Sequence, residues 1–268
     1  MILIDMNQIA VANLMMNLKM NNSKTIDESM VRHMILNSIR MYRMEHHDEY
    51  GEVVLTWDSK HSWRRDYFPE YKASRRKGRE ESDLNWDDIF GTLNKIRNEI
   101  KENFPYKYLE VFGAEADDII GFLCEENRDE KIMIISGDKD FIQLQKFPNV
   151  KQWSPITKKD VNGFNPTTYL KEHILKGDTS DGVPNVLSPD NTFVDGLRQR
   201  PLSRKKIQSW LIGGGSDWND EVKRNFQRNS TLIDLSRTPE ELKNQIRLEY
   251  NNAPHGDRSK LLNYFMQN

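Results

Sequence analysis

Residues 131–140 read KIMIISGDKD: an apolar run, then a turn and two carboxylates. A short uninterrupted apolar run marks a strand buried on both faces, as in a parallel sheet covered by helices. MILID at residues 1–5 and EVVLTWD at residues 52–58 have the same form, and each also ends in an aspartate. Helical patterns separate them. Residues 27–45 carry Val31, Ile35, Ile39 and Tyr42 on one face; residues 86–104 carry Ile89, Phe90, Leu93, Ile96 and Ile100. The order strand, helix, strand, helix, helix, strand predicts an α/β fold with a central, mainly parallel sheet covered by helices. Ligands of such sheets bind beyond the C-terminal ends of the strands, where Asp5, Asp58, Asp138 and Asp140 fall.

The C-terminal half reads as mainly helical. NPTTYLKEHILKGD starts a helix with Asn165 as cap and Pro166 in its first turn. SRKKIQSWLIGGG is a helix closed by glycines, and TPEELKNQIRLEY opens with Thr238 and Glu241 spaced as a capping box. A last helix is expected at about residues 257–266. The break near residue 160 separates an α/β core, 1–160, from a mainly helical region, 161–268.

The 268 residues suffice for one large domain or a domain with an appendage. A formal net charge of −2 does not discriminate between classes of partner, so local charge must do so. Cys124 is the only cysteine and sits in an apolar helical pattern. It excludes an intramolecular disulfide and a multi-cysteine zinc site, and it suits a reducing compartment. The apolar N-terminal stretch lacks a leading basic segment, so a soluble, cytoplasmic protein is expected.

Acids are concentrated in GAEADDIIGFLCEE, residues 113–126, where Glu115, Asp117 and Asp118 precede an apolar helix. Like charges this close repel by about 1 kcal/mol or more per pair unless well solvated. Asp138 and Asp140 project to the same side if the chain stays extended there. Asp178 and Asp181 add a further pair, and no histidine stands at metal-ligand spacing from these acids. Oxygen-only ligation favours magnesium or manganese over zinc or copper. Such a pool can hold two divalent ions about 4 Å apart, able to neutralise charge on a phosphodiester. Solvated loop and cap acids explain any one of these residues equally well, but not the set.

Residues 60–80, KHSWRRDYFPEYKASRRKGRE, set Lys60, Arg64, Arg65, Lys72, Arg75, Arg76, Lys77 and Arg79 against Asp66, Glu70 and Glu80, leaving +5. Trp63, Tyr67, Phe68 and Tyr71 interleave with them. Cations with aromatics suit single-stranded nucleic acid. GLRQRPLSRKKIQ adds Arg198, Arg200, Arg204, Lys205 and Lys206 without an acid. A solubilising face would explain either segment alone; two flanking an acidic pocket favour nucleic acid.

The stretches LIDMNQIA, MVRHMILNSI, WRRDYFPEYKASRRKGREES, EADDII, SGDKDFIQL, KFPNVKQWSP and ILKGDTSDGV follow one another over nearly the whole chain. Together they make it resemble the phage and bacterial 5′-nucleases, the flap endonuclease superfamily. The resemblance implies a PIN-like core with two magnesium sites, manganese being an alternative. It implies that Asp5, Asp58, Glu115, Asp117, Asp138 and Asp140 are the catalytic acids nearest the chemistry. Asp118 would be an outer metal carboxylate, and Asp178 and Asp181 would serve the second ion. Arg64 and Lys72 would grip the scissile phosphate at the base of a helical arch at about residues 60–85. Arg65, Tyr71, Arg75, Arg76, Lys77 and Arg79 of that arch would contact nucleic acid. Arg198, Arg200, Arg204, Lys205 and Lys206 would contact duplex from a modified helix–turn–helix element at about 165–213. The family's Gly-rich hairpin, often a potassium site, is not recognisable in GVPNVLSPDNTFVDGLRQRPLSRKK, so potassium is not expected.

The implied activity is magnesium-dependent 5′→3′ exonuclease and flap endonuclease cleavage. Its substrates would be RNA/DNA hybrids and 5′-ended or branched duplex DNA, in primer removal during phage DNA replication. The expected setting is the host cytoplasm, as a monomer away from membranes, with replication proteins such as a single-strand-binding protein as partners. A non-catalytic branched-DNA-binding replication factor would keep the basic segments but lose acids, and none is missing. A haloacid-dehalogenase-like phosphatase would need an acid where Asn7 stands. Asp234, His33, His46 and His47 read as structural or surface residues.

Overall fold

The computed structural model describes residues 1–22, 24–254 and 258–267. Its centre is a sheet of β1 (Ile2–Asp5), β2 (Val53–Thr56), β3 (Lys107–Leu109), β4 (Ile132–Ile135), β5 (Val150–Ser154) and β6 (Lys159–Asp160). The order is β3-β2-β1-β4-β5-β6, parallel throughout except for the antiparallel β5–β6 pair. Every residue of β1, β2 and β4 is buried, as continuous apolar runs require of strands covered on both faces.

Side-chain alternation divides those strands between two cores. Ile2, Ile4, Val53, Leu55, Met133 and Ile135 pack on α1 (Met6–Met20), α2 (Glu28–Tyr50) and, past α3 (Trp63–Tyr67) and α4 (Ser74–Glu80), on α5 (Trp86–Asn103). Leu3, Val54, Ile132 and Ile134 face the opposite way, toward α6 (Ala116–Glu126), which carries the buried Cys124. The in-register pairing of Ile2 with Val53 and Met133 keeps the two sets apart.

The helical region comprises α7 (Pro166–Lys176), α8 (Arg204–Gly213), α9 (Asp220–Ile233), α10 (Glu240–Asn252) and α11 (Ser259–Gln267). Asn165 caps α7 and Ser203 caps α8, and α8 ends at left-handed Gly214. Leu242 and Ile246 of α10 complete the core beneath α6. Ile174, Leu232 and Ile233 of α7 and α9 enclose Phe68 and Tyr71, anchoring the basic segment.

Several expectations are corrected. Strands β3 and β5 have no sequence signature, because β3 is three residues long and β5 carries Lys151 and Gln152. Phe90 is 42 % exposed and lies beneath the Arg79 guanidinium instead of in the core. Thr238 does not cap α10: its hydroxyl lies 2.7 Å from the buried Asp118 carboxylate, and Pro239 takes the cap position. The expected helix start at position 257 lies outside the described residues.

Gly177 links α7 to the turn bearing Asp178, with φ at 68° and the Val183 and Pro184 carbonyls packed against it. Gly177→Ala is therefore expected to destabilise the protein by about 1–3 kcal/mol, as strained backbone positions do. Gly91, in an open stretch of α5, meets nothing within 4 Å. Gly91→Ala should stabilise by about 0.5–1 kcal/mol, so denaturant titration of the two variants should give opposite signs.

Candidate metal centre

The C-terminal ends of β1, β2 and β4 open onto a cavity of about 730 Å³ whose lining includes Asp5, Asp58, Asp117, Asp138, Asp140, Asp178 and Asp181. Local backbone holds several of these carboxylates. Asp5 accepts from the Gln8 amide at the start of α1 and from the Ser136 hydroxyl, both at 3.1 Å. Asp58 accepts the Ala116 amide at 2.7 Å, which ties the end of β2 to α6. Asp138 accepts the Asp140 amide at 2.9 Å and caps a 3-10 helix, Lys139–Lys146. The chain therefore does not stay extended between Asp138 and Asp140; the capped turn, not strand alternation, brings both to the cavity.

Asp5, Asp58, Asp117 and Asp140 carry more negative charge than their surroundings neutralise. Burial, with Asp58 beside it, pushes the Asp5 carboxyl up to about 7. Burial also raises Asp140 to about 7, and it lifts Asp58 with Glu115 as the next cause. Asp117 is raised well above the usual carboxylate range by burial, then by Asp138 and Asp5. Among the described residues no donor or cation is bonded to the Asp117 side chain. A carboxylate without a donor in a wall of oxygen ligands fits a hard divalent cation.

Glu115 and Asp118 are held differently. The Glu115 carboxylate meets Lys72 Nζ at 2.8 Å, the Tyr71 hydroxyl at 2.8 Å and the Arg64 guanidinium at 3.5 Å. Burial alone would raise its pKa, but Lys72 and Arg64 bring it down to about 2. Asp118 is wholly buried and bonds Arg64 at 2.8 Å, the Glu115 amide at 2.9 Å, Trp63 Nε1 at 3.2 Å and the Thr238 hydroxyl at 2.7 Å. The structure therefore does not bring Asp118 to the cavity as an outer ligand, because its lone pairs are already used. Arg64, 2 % exposed, also donates to the Leu232 carbonyl at 2.9 Å, so it faces the core and not a phosphate. Glu115 likewise lies behind Lys72 instead of in the cavity wall.

Lys60, Arg65, Lys72, Arg75 and Arg79 line the cavity. Lys72 has φ at 56°, a left-handed conformation unusual for a side chain of its kind, and its amide donates to the Asp181 carbonyl at 2.7 Å. Arg75 pairs with Asp181. Arg76 and Lys77 pair with Glu80 and Glu81 along the exposed α4. Tyr71, expected to contact nucleic acid, is buried, with its hydroxyl 2.8 Å from both Glu115 and Asp181. Arg198, Arg200, Arg204, Lys205 and Lys206 are exposed on or before α8, outside this cavity, and Arg200 pairs with Glu221.

One site residue has no counterpart among the expected ligands. His173, in the last turn of α7, places Nδ1 3.2 Å from Asp140 and Nε2 3.4 Å from Asp178. These three residues offer ligand atoms within 4.8 Å of one another. Against burial, Asp178 and Asp140 hold the imidazole above its ordinary range, and Asp178 is in turn held far below its own. Its nearness to Asp178 in sequence is the only available signal; the link to Asp140 depends on α7 packing on the 3-10 helix.

The two classes of acid predict opposite behaviour. Asp118→Asn leaves the buried Arg64 with only the Glu115 carboxylate, 3.5 Å away and shared with Lys72, and should cost about 3–5 kcal/mol in chemical denaturation. In chelator, Asp117→Asn should not lower stability, because burial and the repulsion of Asp138 and Asp5 outweigh the attraction of Lys72. The raised Asp5 and Asp140 values mean that the metal-free folded state keeps protons the unfolded chain has released. Their contribution to stability is thus lost as pH rises from about 4 to about 7. Thermal unfolding in EDTA should follow that trend across this window, and divalent ions added at pH 7 should reverse the loss.

Comparison with known proteins bears on this geometry. The family model described as "5'-3' exonuclease, N-terminal resolvase-like domain" matches residues 1–174. The chain is 35% identical to the "Ribonuclease H" of Enterobacteria phage T4, over 99% of this chain and 90% of that protein. It is 31% identical to a "5'-3' exonuclease" of Buchnera aphidicola (subsp. Schizaphis graminum), over 50% of this chain and 48% of that one. The chain thus spans nearly all of the first relative's length but aligns with about half of the second's. In three dimensions it matches a phage T5 D15 protein co-crystallised with metal ions, with a TM-score of 0.64, 14% identity and coverage of 93% of this chain and 97% of that one.

Proposed function

The chain belongs to the 5′-3′ exonuclease family and is a nuclease; on that premise we propose that it cleaves 5′-ended and 5′-flap structures in DNA and RNA/DNA duplexes. The observation that carries this reading is the carboxylate wall, with the donor-free Asp117 at its centre, facing Lys72 and Arg75 across one cavity. We assign one divalent ion, magnesium or manganese, to Asp5, Asp58, Asp117 and Asp138. A second is assigned to Asp140, Asp178 and Asp181, with His173 at its margin. Such ions supply activated water and neutralise charge on the phosphodiester when bound.

The remaining work falls to this chain's own residues. Lys72 is positioned to exchange its contacts with Glu115 and Asp181 for a phosphate oxygen and so offset developing charge. Lys60, Arg65, Arg75 and Arg79 would guide the 5′ strand past the acids, and Arg76 and Lys77 would meet it on the outer face of the arch. Arg64, Asp118 and Tyr71 act as positioning residues: they fix Glu115, and through it Lys72. Most of the chemistry is assigned to residues 1–160, with His173, Asp178 and Asp181 completing the second ion's site, and the duplex grip to 161–268, with Arg198, Arg200, Arg204, Lys205 and Lys206 contacting phosphates without sequence preference. The corresponding task is primer and flap removal in phage replication, in the host cytoplasm, beside replication proteins such as a single-strand-binding protein. Among the described residues no helix is long and apolar enough to cross a membrane.

A labelled 5′-flap substrate tests this reading. Magnesium-dependent cutting near the junction is expected. Asp138→Asn should abolish it while duplex binding survives, and Lys72→Ala should lower the rate constant by about 10²–10³. Full activity of Asp138→Asn at ordinary magnesium would overturn the ion assignment; binding without cutting by the native chain would identify a non-catalytic junction-binding factor.

A further inference from the structure

The acids occupy the C-terminal ends of the strands, and a second cavity, of about 680 Å³, lies at the other end. Its wall includes Val53, which begins β2, and Tyr106, which immediately precedes β3. Arg40 and Arg43 enter it from α2, and Arg258 enters it from the residue before α11. Leu36, Phe104 and Phe265 form apolar wall between them, with the Phe104 and Phe265 rings edge-to-face at 6.0 Å.

Among the described residues these three arginines make no side-chain hydrogen bond, ion pair or ring contact. The less exposed arginines Arg32, Arg64, Arg97 and Arg228 are engaged, with Glu99, Asp118, Glu110 and Asp190 respectively. The positions three and four away from Arg40 and Arg43 on α2 hold Leu36, Asn37, Ile39, Met44, His46 and His47, besides Arg40 and Arg43 themselves, so the helix offers no internal counter-charge. The acid in the cavity wall, Glu52, stands 3.4 Å from Lys107. Tyr106 reflects how close the guanidiniums are: burial raises its phenol, while Arg43, Arg258 and Arg40 oppose that rise.

Solubilising charges need no concave apolar floor. A duplex backbone presents phosphates along a broad surface, which a cavity this size walled by aromatic rings does not match. Carboxylates pair with guanidinium forks, and an aromatic side chain can rest on the apolar wall of Leu36, Phe104 and the exposed Phe265. We propose that this cavity between α2, the entry to β3 and α11 is a docking site for an acidic segment of a partner protein that carries an aromatic side chain among its carboxylates. It stands apart from the nuclease chemistry, at the opposite end of the strands.

The test uses the full chain and a fluorescein-labelled peptide, Glu-Asp-Glu-Leu-Phe, followed by anisotropy. Saturable binding is expected, weakened by raising salt from about 50 mM to about 300 mM, as screened charge requires. Arg40→Glu with Arg43→Glu should weaken it by about tenfold or more, as loss of arginine anchors does. Replacing the peptide's Leu and Phe with Ala should weaken it similarly, and flap cleavage by the double variant should stay at the native level. No saturable binding of the peptide would overturn the proposal. So would peptide binding indifferent to the Leu and Phe replacements and displaced by inorganic phosphate, which identifies a simple anion site. Unchanged peptide binding by the double variant with weakened flap-DNA binding would identify a phosphate-backbone contact instead.

Discussion

The buried ion pair between Asp118 and Arg64, 2.8 Å apart, joins the start of α6 to the basic segment and the helical region. Asp118 receives the Glu115 amide at the start of α6, the Trp63 indole of the basic segment and the Thr238 hydroxyl ahead of α10. Arg64 extends the connection to the Leu232 carbonyl of α9. Neither charge reaches solvent, so each depends on the other and on complete hydrogen bonding for its tolerance in the core. Through this pair the start of α6, the arch and the helical region are bound together.

That constraint sorts the carboxylates by function. Glu115 and Asp118 are neutralised by cations and donors of the same chain, and their role is to position other groups. Asp5, Asp58, Asp117 and Asp140 are raised by burial and by neighbouring carboxylates, without enough cations to offset it. Such a cluster is unfavourable when empty and is relieved by divalent ions, so the same repulsion that costs stability gives the site its ion affinity. Lys72 stands between the two groups, in contact with Glu115 and Asp181. Its left-handed backbone is consistent with a position determined by chemistry over local preference.

The sheet also separates the molecule's charged surfaces. The C-terminal strand ends carry the acids and the cationic segment overhanging them. The N-terminal ends carry an arginine-lined cavity whose wall, among the described residues, holds one acid, Glu52. Parallel strands make this polarity possible, since all of them present the same end to the same side.

Much of this was legible in the sequence because it depends on local rules. Continuous apolar runs identified β1, β2 and β4, and their terminal acids marked the functional end of the sheet. Asn165 announced the start of α7 through backbone capping, a contact that spans only three residues. Short or polar strands such as β3 and β5 carry no such signal, because pairing partners define them. The roles of individual charges were likewise beyond sequence spacing. Arg64 and Lys72 are alike in a charge count, yet one is sealed against Asp118 and the other faces the cavity. His173 joined the site only when α7 packed against the 3-10 helix. Whether a charge binds an ion, grips a phosphate or holds the core depends on its burial and on partners distant in sequence, and those are set only by the tertiary fold.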